Sequence, residues 1–467
     1  MVFSSLEFIF LFLPAFLLIY GLTNKKYKNA VVFAGSIFFY SMGFADMGLK
    51  GMVLYSSLFL LTVLFNFIIG EFISHYRKAA RLWLIIGIIF NFWWLIFFKY
   101  TGFAFENING IFHASLPMKN IILPIGISFY TFQNVSYIID VYRKNAESES
   151  SIINYGAYIS MFPQLIAGPI VTYSTVAEQL KSRSHTIKKV ENGLKTFTIG
   201  LGYKVLLANQ IGGLWSDLSM IGYQSISTPL AWLGIVAYSF QLYFDFMGYS
   251  YMAMGLGEIM GFTIPKNFDY PYLSTTMTEF WRRWHITLGS WFREYIYIPL
   301  GGNRKGKAKL IRNLLIVWTL TGLWHGASWN FVLWGLTIFV LIMLEKFVIG
   351  DFLNKYKIVG HLYMILIIPL TWLLFAITDF KELGVYFTRL IGAGGEHVVF
   401  EKDYVKYWGI YGKYFIFGLI FSTRIPEFIY KKIKGSVFGS IMLLLVFWAA
   451  VYCMYKGMND PFLYFRF

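Results

Sequence analysis

Leu314-Leu315-Ile316-Val317-Trp318-Thr319-Leu320-Thr321-Gly322-Leu323-Trp324-His325-Gly326-Ala327-Ser328-Trp329 is the stretch on which the fold of this chain turns. It belongs to an otherwise apolar run from Leu314 to Met343, with His325 set inside it. An ionisable side chain at bilayer depth is expensive to bury, and where one occurs it is a functional-site hypothesis by default. About forty residues earlier stands Glu279-Phe280-Trp281-Arg282-Arg283-Trp284-His285, followed by Arg293, Glu294 and the loop Pro299-Leu300-Gly301-Gly302-Asn303-Arg304. A buried histidine with a charged, glycine-bearing approach to it points to an enzyme working inside the bilayer.

Composition sets the class. Of 467 residues, 57% are hydrophobic, 21% aromatic and only 14% charged, and the mean hydropathy is +0.58. Soluble domains carry about a quarter charged residues, so this chain lacks the polar groups to cover a globular surface. Its apolar runs are long enough to cross a hydrocarbon core, which takes roughly 20 residues of helix. They are continuous and do not alternate in polarity, which argues against a barrel. The expectation is an all-α polytopic integral membrane protein.

The net charge of +16 sits in short loops between apolar runs, among them Lys25-Lys26-Tyr27-Lys28, Arg77-Lys78, Arg143-Lys144, Lys181 to Lys189, Arg304 to Arg312 and Lys431-Lys432. That is the placement of the positive-inside rule, and no basic face comes with a nucleic-acid-binding fold. A single cysteine, Cys453, excludes an intramolecular disulfide and a cysteine-based metal cluster. Residues 6–22 have their basic cluster after the apolar run, the wrong polarity for a cleaved signal peptide.

Applying the charge rule along the chain places spans near 6–22, 30–45, 51–74, 82–98, 121–141, 194–219, 229–250, 313–328, 329–347, 360–378, 412–429 and 436–455. Together these predict about 11–13 transmembrane helices, with both termini outside. Residues 153–176 break the alternation and contain Gly168-Pro169, so a re-entrant hairpin is expected there. Irregular backbone at that depth needs protein or a wet cavity around it. The whole chain reads as one membrane domain. Residues 262–312 form a cytoplasmic amphipathic layer at the active site, and 456–467 an extracytoplasmic tail.

Arg312 marks the cytoplasmic surface, and the helix from it to His325 rises roughly 20 Å at 1.5 Å per residue. In a core about 30 Å thick, this sets His325 past the midplane. Gly322 and Gly326 allow a backbone or a substrate close to it, and Trp324 and Trp329 add apolar walls. A neutral imidazole there can take a proton from a hydroxyl and return it to a leaving group. His285 reads as lying at or near the cytoplasmic face, where a histidine costs little. Arg282, Arg283, Arg293 and Arg304 are candidates to clamp donor phosphates with paired guanidinium donors, or to anchor at anionic headgroups. Gly301-Gly302 is too short to be read as a phosphate loop by itself.

Three segments carry a resemblance: Phe280-Trp281-Arg282-Arg283-Trp284-His285-Ile286-Thr287-Leu288, Tyr295-Ile296-Tyr297-Ile298-Pro299-Leu300-Gly301-Gly302-Asn303-Arg304 and Leu323-Trp324-His325-Gly326. They resemble the membrane-bound O-acyltransferase family, and within it the branch of the alginate O-acetyltransferase membrane subunit. Leu123 to Gln133, Phe162 to Pro169 and Gln241 to Ser250 match the same branch, so the likeness covers roughly residues 1–460. It implies an acyl group taken from a cytoplasmic thioester, acetyl-CoA or a carrier-protein thioester, and handed toward an extracytoplasmic acceptor in a bacterial cell membrane. It implies that His325 is the catalytic histidine and His285 a second functional residue, with no bound cofactor or metal. Stabilising the oxyanion falls to preorganised donors. Asn330, Gln133 and Tyr243 are candidates, with Trp324 lining the pocket; each of the first three is equally an interhelical hydrogen-bonding residue.

The chain ends Phe462-Leu463-Tyr464-Phe465-Arg466-Phe467. This resembles the F-x-Y-x-x-F tail of bacterial envelope acylation systems, filled here by Phe462, Tyr464 and Phe467. The resemblance implies that Tyr464 carries the acyl group to a secreted, esterase-like (SGNH) transferase that finishes transfer to a polysaccharide. The other reading of the tail is an aromatic belt at the interface. Two rival functions stand beside acetylation: D-alanyl transfer to teichoic acid, and a transporter of lipid-linked sugars. The transporter predicts several buried charges along a path, whereas the sequence shows one clear buried ionisable residue.

Overall fold

Each expected span overlaps helix in the computed structural model, which describes residues 2–117, 121–304, 306–393, 400 and 402–457. Every regular element among those residues is helical. Six helices are long and apolar enough to cross a membrane: Ala45–His75, Arg77–Phe112, Thr228–Ile259, Trp329–Lys355, Lys357–Ala376 and Val437–Tyr455. The protein is a multi-pass, all-α membrane protein. The other expected spans fall on helices that are shorter or more polar. They are Phe8–Leu22, and Lys28–Met42, Ile127–Arg143, Lys307–His325 and Asp403–Phe421, together with a run from Ile187–Leu201 through a π-helical turn into Asn209–Ile221.

Some boundaries move for local reasons. The helix expected from 121 begins at Ile127, because Pro124 and Gly126 precede it and Gly126 takes φ +73°. A side chain at Gly126 would collide with the Leu165 carbonyl, so the turn needs glycine twice over. The span expected at 412–429 lies instead at Asp403–Phe421, followed by a separate helix Ile425–Ile433 that starts with proline at its first turn. At 153–176 the backbone is irregular: Ile152–Ser160 and Tyr173–Lys181 are nine-residue helices, each too short to cross a bilayer, with the turn Phe162–Leu165 and Gly168-Pro169 between them. Protein groups meet part of the segment's polar backbone and side chains, Gln164 Nε2 donating to Tyr158 O at 2.6 Å and Tyr158 OH to Val171 O at 3.0 Å.

The residues cluster into two compact units. One comprises Met1–Phe197 and Met252–Pro265, the other Thr198–Tyr251 and Lys266–Phe467. In the first, Asn66 and Asn91 exchange side-chain hydrogen bonds at 3.0 and 2.6 Å between two spanning helices, the polar glue that substitutes for a hydrophobic drive in lipid. In the second, Thr228–Ile259 is 83% buried along its apolar window, whereas Val437–Tyr455 is 11% buried. A helix buried all round needs no amphipathic stripe. Around it the second unit collects Trp281, Trp284, Trp318, Trp334 and Trp372, and this indole cluster surrounds the candidate site.

Candidate active site

His325 is the last residue of helix Lys307–His325, and Trp329–Leu344 turns back against it. The hairpin is tight because of its glycines. A Cβ on Gly322 would overlap the Phe331 carbonyl, and one on Gly335 the Trp318 carbonyl. The close approach that the Gly322/Gly326 pattern allows is therefore used by the chain's own next helix. His325 is buried, with rings around it at edge-on geometry: Trp324 at 4.9 Å, Trp334 at 5.1 Å and Phe375 at 5.2 Å between centroids. These faces fix the ring's plane by shape.

His285 is also buried, at 2% exposure, so it is not the low-cost interfacial histidine that its arginine neighbours suggest. The reason is a change of direction: Arg282 points out at the end of helix Met277–Arg283, and Trp284 and His285 then turn inward before Ile286–Phe292. His285 caps that second helix with φ +44°, a left-handed conformation uncommon for a side-chain-bearing residue. The loop at Asn267 holds it there. Ile286 N donates to Asn267 O at 2.9 Å. Thr287 N and Thr287 Oγ1 donate to Asn267 Oδ1 at 3.2 and 3.0 Å, and His285 Nδ1 lies 3.1 Å from the same oxygen. Burial pushes the His285 imidazole down to about 3, so the ring is neutral at physiological pH.

Trp324 touches both imidazoles, its ring 6.0 Å from His285 and 4.9 Å from His325 between centroids. Phe246 of the central helix closes the His285 side at 4.7 Å. Tyr243, one turn earlier on that helix, is fully buried and packs 5.9 Å from Trp284. Asn330 sits at the start of the return helix with Nδ2 donating to Leu374 O at 3.1 Å, which commits one amide hydrogen of that oxyanion candidate to the backbone. Gln133 is buried in the other unit, on Ile127–Arg143.

The four arginines separate. Arg283 pairs with Glu279 at 2.6 Å, and Glu279 also accepts from Thr275 N at 2.9 Å while its own N–H donates to Thr276 Oγ1 at 3.1 Å. Thr276 thus caps the helix, and the Glu279 carboxylate holds the residue before the cap. Arg282, Arg293 and Arg304 are exposed. Tyr464, with Phe462 and Phe467, lies outside the described residues.

Two features escape a reading of the sequence. Asn267 looks like an ordinary loop residue, since what it clamps lies eighteen positions away. Lys204 and Asp245 form an ion pair at 2.7 Å, 2% and 3% exposed, so the histidine is not alone among buried ionisable groups. Asp245 inside the 229–250 span was the available signal. Its partner enters on the π-helical turn Gly202–Ala208, where Gly248 brings the two helices so close that a Cβ there would meet Gly200 O.

The fold is that of a multi-pass membrane protein, and its candidate site holds two buried imidazoles that both pack on Trp324. The profile of the membrane-bound O-acyltransferase family matches residues 37–388, and the chain belongs to that family. It is an O-acyltransferase. It is 34% identical, over the full length of both chains, to the "Probable alginate O-acetylase AlgI" of Pseudomonas putida. It is 38% identical to the protein of that name in Pseudomonas syringae, over 84% of this chain and 75% of the other. It is 34% identical to the peptidoglycan O-acetyltransferase of Helicobacter pylori, over 85% and 80% of the two chains. The teichoic acid D-alanyltransferase of Bacillus subtilis is 30% identical over 52% of this chain.

Proposed function

We propose that this protein acetylates an exported cell-envelope polysaccharide, drawing acetyl from a cytoplasmic thioester and working in the bacterial cytoplasmic membrane. The observation that carries the reading is His325, buried at the end of its helix with one indole face between it and a second imidazole. His325 takes the proton of an acceptor hydroxyl as the oxygen attacks the thioester carbonyl. The tetrahedral intermediate then collapses, the C–S bond breaks, and the thiolate leaves with the proton held by the imidazolium. Ester and free thiol are the products, so the centre is regenerated. The buried Tyr243 hydroxyl is the O–H donor favoured for the oxyanion, over the partly committed Asn330.

Exposed Arg282, Arg293 and Arg304 suit the phosphates of acetyl-CoA or of a carrier protein's prosthetic arm. The acceptor hydroxyl is that of Tyr464 in this reading. A phenyl ester keeps enough transfer potential to pass acetyl to an esterase-like extracytoplasmic partner. The second reading, D-alanyl transfer to teichoic acid, is favoured by the Bacillus relative over about half the chain.

The test is acetyl ester content of envelope and secreted polysaccharides in a deletion strain complemented with wild type, His325→Ala or Tyr464→Phe. Acetate restored only by wild type supports the full scheme. Acetate restored by Tyr464→Phe sinks the tyrosine relay alone. Unchanged acetate with lost D-alanine moves the function to teichoic acid.

A further inference from the structure

Asn267 presents one atom, Oδ1, to three groups: Thr287 N at 3.2 Å, Thr287 Oγ1 at 3.0 Å and His285 Nδ1 at 3.1 Å. A backbone N–H can only donate, so the atom facing it must be the amide oxygen. Turned over, the amide would set N–H against N–H. The same choice sends Asn267 Nδ2 toward Ser250 Oγ at 3.4 Å, a hydroxyl able to accept. With its oxygen so fixed, Asn267 offers His285 only lone pairs, and the ring proton must sit on Nδ1 to meet them.

We propose that Asn267 is a positioning residue that locks His285 in the Nδ1–H tautomer, so that Nε2 carries the lone pair and His285 serves acyl transfer as a hydrogen-bond acceptor. The proposal rests on the reading that His285 takes part in that transfer. It removes one role from His285: a neutral ring with its lone pair on Nε2 cannot donate to the thioester's developing oxyanion. It assigns another: Nε2 takes an O–H or N–H. On the substrates, the groups able to supply it are the acceptor hydroxyl and the amides of the thioester's pantetheine arm.

The rest of the loop is built for this hold. Asn267 is 1% exposed. Its own carbonyl takes Ile286 N at 2.9 Å, and Asp269 N donates to Arg283 O at 2.9 Å, so the loop grips the backbone on both sides of His285. The left-handed φ of +44° at His285 is a strained conformation that persists only when surrounding contacts over-determine it. Phe246 and Trp324, which flank the ring, are uncharged and do not compete for the Nδ1 proton.

The decisive measurement is a long-range ¹⁵N–¹H correlation spectrum of the full-length protein, ¹⁵N-labelled at histidine in nanodiscs, with His285 assigned by its loss in His285→Gln. The expected result at pH 7 is a protonated Nδ1 and a bare Nε2. A bare Nδ1, or a tautomer average, overturns the proposal. Asn267→Asp keeps every acceptor contact and places a carboxylate against Nδ1, which favours the imidazolium. In that variant, the acid limb of acetyl-CoA turnover should move up by at least about one pH unit, with turnover recovering at higher pH. An unmoved limb in a folded Asn267→Asp protein also overturns it.

Asn267→Leu should lose turnover at least about tenfold at every pH, and its combination with His285→Gln should be no worse than His285→Gln alone. Additive losses count against the proposal. In His285→Gln, a raised KM for acetyl-CoA assigns Nε2 to the pantetheine amides, and a raised KM for the acceptor assigns it to the hydroxyl. Full turnover in His285→Gln sinks the participation of His285 itself, whatever tautomer the spectrum shows.

Discussion

The two imidazoles of this site differ in the contacts that surround them. His325 is framed by the rings of Trp324, Trp334 and Phe375, which set its plane by contact. His285 is clamped through Nδ1 and through its own strained backbone, by a loop that fixes the proton as well as the plane. A group that only receives a hydrogen bond gains from being locked. The clamp on Nδ1 is what the proposed acceptor role of His285 requires.

The sharpest way to break this comparison is to remove the base. His325→Ala should lower acetyl transfer by about 10²- to 10⁴-fold, the usual worth of general acid–base catalysis. The protein should remain at wild-type level in the membrane, because the surrounding rings pack on one another as well as on His325: Trp334 lies 5.4 Å from Phe375 and 6.0 Å from Trp372. Quantitative acetyl ester analysis with an immunoblot of the membrane fraction checks it. Retained transfer would make the aromatic frame a structural feature and leave His285 as the only imidazole with a catalytic claim.

Next in size comes the buried pair behind the His285 side. Asp245 directly precedes Phe246, whose ring packs on His285, and its carboxylate is the counter-ion of Lys204. Asp245→Asn strands an ammonium in the interior, a change that costs about 3–5 kcal/mol where one partner of a buried pair is removed. Thermal unfolding in detergent should shift well below wild type. Lys204→Met combined with Asp245→Leu should recover most of the loss, since an apolar pair of similar volume is often neutral in such a place. A double variant as unstable as Asp245→Asn would show that the pair is needed for its charge and not merely for its balance.

How far these features can be read without coordinates follows from what each depends on. Apolar runs write spanning helices directly, so 51–74, 82–98 and 329–347 fall within helices of crossing length, and 360–378 and 436–455 overrun such helices by no more than two residues. Charge misleads at the edges. Asp403 and Lys406 hid the first turns of a helix that the packing of Tyr407 and Phe415 makes favourable. His325 was legible because its isolation in apolar sequence is itself the signal. His285 was misplaced because two adjacent arginines suggest surface, while the backbone reverses between Arg283 and Ile286. Asn267 and the Lys204–Asp245 pair are contacts between distant positions, and neither spacing nor composition encodes them.

The smallest test bears on the clamp alone. Thr287 donates twice to Asn267 Oδ1, from its amide at 3.2 Å and from its hydroxyl at 3.0 Å. Thr287→Val removes the second bond and keeps the first, along with the β-branched shape that packs there. Losing one neutral hydrogen bond costs about 0.5–1.5 kcal/mol, so thermal stability in detergent should fall slightly. The amide bond that pins the oxygen survives, so the His285 ring should keep its proton on Nδ1 and transfer should stay close to wild type. A tautomer shift in Thr287→Val would mean that the hydroxyl, and not the backbone, orients Asn267. The tautomer of His285 would then rest on a single side-chain contact.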